Sequence, residues 1–133
     1  MGGEVYSHRI SVERVDCGTS LARLDPPAST AGPLPAEAVL ALAHTSCGAA
    51  IDGMVHEAQC TLSYQPTTSS MTHLRTANGP VSAAALVERE LPCYVAHDIR
   101  RNGNTHTRVN VAVVDADGDA VALGTFEFFI ARR

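Results

Sequence analysis

Glu37 and His44 are the residues of this 133-residue chain whose types and spacing point most directly to chemistry. Seven positions apart, they share one stripe of any helix that carries them, together with Ala41 and Gly48. At 1.5 Å per residue they stand about 10 Å apart along the axis, too far to touch but placed to flank one bound molecule. A neutral imidazole works as a general base near pH 7, and a carboxylate adds a second polar group. A plainer reading stands beside this one. A single His in an apolar helix also serves as a core or interface residue, and a Glu in a first helical turn is favoured by the helix dipole alone.

The remaining reactive residues suggest less. Cys17, Cys47, Cys60 and Cys93 include no CxxC, and no His lies near a Cys at zinc-finger spacing. The six histidines form neither HxH nor HExxH, so no metal site is expected. His97, His106 and Arg108 surround Asn102-Gly103, and a two-residue turn there sets His97 opposite Arg108 as solvated surface groups. Arg100 and Arg101 suit either a phosphate or a plain exposed face. His73 lies in a polar stretch and receives no role.

The helix that must carry Glu37 and His44 is the clearest element. Pro35 suits an early helical position, and AEAVLALAHTSCGAAI over 36–51 is nearly all small or apolar, with Asp52-Gly53 as its stop. It lacks the polar face of a surface helix, so it is expected to be covered on most sides. Before it, alternation over 4–15, a turn at 16–19 and a strand at 20–24 predict a hairpin. After it, alternation over 56–65 predicts a strand with Tyr64 near its end, and Thr72–Thr76 a short one. Residues 81–91 lean to helix on propensity. Strands are expected at 93–101, 105–114 and 120–130, joined by Asn102-Gly103 and by the 115–118 turn. An apolar helix among antiparallel strands implies an α+β fold, a curved antiparallel sheet wrapped around one long central helix, in one domain over 1–133.

Composition narrows the function. All ten basic residues are Arg, they are scattered, and the net charge is −4, so nucleic acid is not an expected partner. No apolar run approaches the roughly 20 residues of a membrane span. The first residues, MGGEVYSHRISVERV, lack a signal peptide's apolar core, so a cytoplasmic chain is expected.

Three segments in this order resemble the hotdog fold, in particular its phenylacetyl-CoA thioesterase-like branch: VERVDCGTSLARLDPP (12–27), LALAHTSCGAAI (40–51) and IRRNGNTHTRVNVAVVDADGDAVALGTFEFFI (99–130). The stretch from about 67 to 90 does not match and reads as an insertion. The resemblance implies a homodimer or homotetramer, with sites at the dimer interface built from one subunit's helix and the other's strands. It implies an acyl-CoA thioester as substrate and no separate cofactor. The family's helix begins His-Gly-Gly where this chain has Pro35-Ala36-Glu37, and it carries an acid where this chain has His44. The usual helix carboxylate is therefore missing. Thioester hydrolysis would use His44 as base, Glu37 as second polar group, the Ala36 amide at the helix start, the Thr45 hydroxyl as donor and Tyr64 along the acyl pocket. The alternatives are a hotdog dehydratase or hydratase acting on an acyl thioester, which pairs a His with a carboxylate, and a non-catalytic protein that binds an acyl group or another small ligand.

Overall fold

The computed structural model describes residues 9–27, 32–88 and 92–133, without the side chains of 56–57 and 92–94. Strands β1 (Ile10–Asp16) and β2 (Thr19–Leu24) form the expected hairpin. Helix α1 (Ala36–Asp52) follows, then a single turn α2 (Val55–Ala58), strand β3 (Leu62–His73), strand β4 (Val81–Val87), helix α3 (Pro92–Asn102) and strands β5 (Asn104–Asp115) and β6 (Ala120–Arg132). All six strands join one antiparallel sheet in the order β1-β2-β4-β5-β6-β3.

Helix α1 lies on one face of this sheet and touches every strand. Its residues Ala38, Val39, Leu42, Ala43, Cys47, Ala50 and Ile51 are buried against Phe126, Phe128, Ile130 and the inward valines of β4 and β5. The Ser20 hydroxyl donates to the Ser46 carbonyl (2.5 Å), tying β2 to the helix. Gly53 lets the β1–β2 turn come against the helix end, because a Cβ there would land on the Asp16 carbonyl. The long rod covered on most sides is replaced by a 17-residue helix with an open flank, where Glu37, Leu40, Thr45 and Asp52 are exposed. That flank lies beside β3, the edge strand.

Several elements differ from expectation. The strand expected over 56–65 begins only at Leu62, after the turn of α2, and then runs unbroken to His73; of the short strand expected at 72–76 only the first two residues belong to it, and 74–76 are not strand. Residues 81–87 form a strand although their alanines favour helix. Their burial alternates, with Val81, Ala83, Ala85 and Val87 inward, and β2 and β5 supply ladders on both sides. Residues 92–102 form a helix instead of a strand. Val95, Ala96 and Ile99 make one buried helical stripe, and Pro92 starts it. Asn102-Gly103 is therefore the end of a helix, with Gly103 at φ +85°, and His97 does not face Arg108 across a hairpin. Arg108 lies on β5 between Glu88 (3.7 Å) and Glu127 (3.9 Å). The stretch read as an insertion carries the second half of β3 and the whole of β4. The strand expected from residue 4 is seen from Ile10, its earlier part lying outside the described residues. It is exposed along nearly its whole length, as befits the other edge of the sheet.

Candidate functional site at the start of helix α1

Pro35 caps helix α1 with extended backbone (φ −70°, ψ 156°) and no capping side chain. The Ala38 and Val39 amides turn back to the Pro35 carbonyl (3.0 and 3.4 Å). Among the described residues nothing accepts from the amides of Ala36 and Glu37. Two N–H groups and the positive end of a 17-residue helix dipole thus face an open cleft. This cleft, about 300 Å³, is lined by Ala36, Glu37, Leu40, Ser69, Met71 and His73. A second, about 280 Å³, continues from Ala36 and His73 towards Leu34, Val39, Leu74, Ala77 and Val121. The larger cavity on the sheet's opposite face, about 480 Å³, is lined by residues such as Ala84, Leu86, Asn110 and Leu123, and among the described residues no titratable group lines it.

The β3 side of the cleft is set by register. Ser69, Met71 and His73 pair with Phe126, Gly124 and Ala122, so they share the inward face with Phe126 and Phe128 of β6. An extra residue between Pro66 and Thr68 keeps Tyr64 on that same face nearer the strand's start.

Each expected site residue has a definite place. Ala36 and Glu37 line the cleft. His44, two turns further along, packs edge-on against Phe126 (4.8 Å between centroids, 65°) and lines neither cavity. Burial pushes its imidazole below the usual histidine range, which favours the neutral, proton-accepting form. The Thr45 hydroxyl donates to the Ala41 carbonyl (2.9 Å), so its proton is engaged within its own helix. Tyr64 lies over the helix's other end, where a Cβ on Gly48 would come 2.6 Å from its hydroxyl. Burial, and then the charge of Asp52, push this phenol upward. The structure thus brings Ala36 and Glu37 together but not with His44, Thr45 or Tyr64 of the same chain. His73, which sequence reasoning left without a role, stands at the junction of both clefts.

The Cys47 thiol is fully buried and pushed up to about 12, which makes it a poor nucleophile. Asp115, Asp117 and Asp119 bring carboxylate oxygens within 4.8 Å of one another. Turn chemistry accounts for this, since Asp115 Oδ1 accepts from the amides of Asp117 (2.9 Å) and Asp119 (3.0 Å).

The state of His44 carries a stability prediction. Its depressed value means that the unfolded chain binds more protons than the fold as pH falls through about 6.5. Stability should therefore decline from about pH 7.5 to below 6 and level off beneath the lowered value. Urea midpoints for wild type and His44→Gln across this range should converge at low pH; a parallel decline in both would assign the effect to other groups.

The fold is the hotdog fold. Solved structures that share it include a probable thioesterase of unknown function from Pseudomonas aeruginosa (TM-score 0.75, 16% identity, 93% of this chain and 83% of that chain). A hypothetical thioesterase from Streptococcus pneumoniae, solved with coenzyme A, aligns over 98% of this chain and 91% of its own (TM-score 0.74, 13% identity). The Escherichia coli PaaI protein of the phenylacetic acid degradation operon aligns over 93% and 82% (TM-score 0.68, 16% identity). No family profile and no curated protein matches the chain. Among the described residues no helix is long and apolar enough to cross a membrane.

Proposed function

We propose that this chain is an acyl-CoA thioesterase of the phenylacetyl-CoA thioesterase-like branch, acting at a site completed by a second copy. The observation that carries the reading is the uncapped start of α1 opening into a cleft beside an exposed edge strand, on a fold shared with proteins described as thioesterases. The two free amides suit the oxyanion that forms when a thioester carbonyl is attacked.

One copy alone does not complete this chemistry. Ala36 and His44 are about 12 Å apart along the helix, whereas a reacting carbon must lie about 3 Å from both donors and base. A two-fold axis running past exposed Leu40 sets the Ala36 amide of one copy opposite His44 of the partner subunit. The 12-residue β3 offers the pairing edge, with exposed apolar groups at Tyr64 near its start, Leu74 just past its end and Leu40 on the helix beside it. The partner's His44 then takes a proton from water as its oxygen attacks the carbonyl carbon. The tetrahedral oxyanion rests on the Ala36 and Glu37 amides. The C–S bond breaks, the thiolate receives the proton from the imidazolium, and acid and thiol leave. Glu37 borders the attacked carbon, and the slot of Leu34, Val39, Leu74 and Val121 seats a small or medium acyl or aryl-acyl group. Substrates of this kind call for a cytoplasmic enzyme and no metal.

The test is thiol release from an acyl-CoA panel by wild type and His44→Ala together. Wild type should release thiol, and His44→Ala should lose about 10²-fold or more in kcat. Hydration of an enoyl-CoA without thiol release would favour the dehydratase class, and binding without turnover a ligand carrier. Unchanged turnover in His44→Ala would remove the base assignment alone.

A further inference from the structure

We propose that His73 is a catalytic residue of this site, its ring N–H donating a hydrogen bond to the thioester carbonyl oxygen as that oxygen gains charge; this rests on the hydrolytic reading above. The helix start is short of donors. Pro35 has no N–H, and its side chain offers no cap, which leaves the amides of Ala36 and Glu37. The strand opposite supplies what the helix lacks. His73 ends β3, pairs with Ala122 on the inward face, and borders both the cleft with Ala36 and Glu37 and the apolar slot beyond.

Glu37, Ser69 and Arg75 fit the task less well. An ionised Glu37 carboxylate accepts but does not donate. Ser69, four positions back along the strand and about 13 Å away at 3.3 Å per residue, lines the cleft with Ala36 and Glu37 but not the apolar slot beyond it. Arg75 is held towards Asp119 (3.4 Å). The exposed His73 ring has no hydrogen-bond partner among the described residues, so no protein contact has to break for a substrate to reach it. An imidazole donates from one nitrogen when neutral and from both when protonated, so the role holds in either state.

Thiol release by wild type, His73→Ala and His73→Gln, with coenzyme A binding measured on each as a check of the fold, tests the assignment. His73→Ala should lose about 10²–10³-fold in kcat with KM unchanged, the usual effect of deleting one oxyanion donor. His73→Gln keeps an N–H donor at similar reach and should recover most of that loss, which neither a proton acceptor nor a purely packing side chain would do. Wild-type kcat in His73→Ala, equal impairment in both variants, or a change confined to KM each overturns the donor role while leaving hydrolysis standing. A wild type that releases no thiol from any member of the panel overturns the hydrolytic reading and the donor role together.

Discussion

Ala36→Pro lowers kcat for thioester hydrolysis by about 10²–10³ while leaving stability within about 0.5 kcal/mol. Few substitutions separate chemistry from folding so cleanly, and the geometry of the helix start explains why. Ala36 is the first residue of α1, its amide makes no bond among the described residues, and its side chain is exposed. Proline fits this position because its fixed φ is helical and the hydrogen it removes was an orphan. The preceding residue must be extended, and Pro35 already is, at ψ 156°. The exchange therefore removes one donor of the proposed oxyanion site and little else. Ala36→Gly keeps the donor and should hydrolyse nearly as wild type does. Steady-state kinetics with one acyl-CoA, beside urea unfolding of all three proteins, makes the comparison. Wild-type kcat in Ala36→Pro would move the oxyanion away from the helix start.

The helix, and the places of Glu37 and His44 on it, were legible because their determinants are local. Pro35, the run of small and apolar residues to Ile51 and the stop at Gly53 mark one helix, and helical spacing alone puts Glu37 and His44 on one stripe. β5 and β6 were legible for the same reason, since alternating valines, the DADG turn and the phenylalanines need no distant partner to be understood. β4 was not. Its alanines carry helix propensity, and only the ladders to β2 and β5 make them a strand. Helix α3 failed in the opposite sense: Val95 and Ile99 suit a strand, and Asn102-Gly103 resembles a hairpin turn, but their burial follows a helical stripe. His73 is the instructive omission. In sequence it stands in a polar stretch that suggests no partner for it. It reaches the helix start only because the register of β3 against β6 carries it there, and long-range strand register is what a single sequence expresses least clearly. Thr45 shows the converse, a residue correctly placed on the helix whose proton its own backbone has already claimed.

The second large effect is on folding and reaches the site through one ring. Phe126 is fully buried, packs against the edge of His44 at 4.8 Å, and lies beneath the position where a Cβ on Gly124 would meet it at 2.9 Å. Phe126→Ala removes a large side chain from a core that cannot collapse around the gap, because β6 is paired on both sides and α1 is held against every strand. The expected loss is about 3–5 kcal/mol, a large share of the roughly 5–15 kcal/mol that stabilises an ordinary domain. Phe129, on the same strand but facing outward beside His106, is the internal control, and Phe129→Ala should cost about 1 kcal/mol or less. Denaturant midpoints should be compared at a single protein concentration, because association adds to apparent stability. The functional consequence separates Phe126 from a purely structural residue. Its ring is the wall that holds His44 partly desolvated, so the cavity left by alanine admits water and returns the imidazole towards its ordinary range. In Phe126→Leu, which keeps much of the volume, the fold should survive well enough for kinetics. The acid limb of its thiol-release profile should then lie at higher pH than in wild type. An unshifted limb in a folded Phe126→Leu would mean that His44 does not act as the base, whatever the stability measurements show.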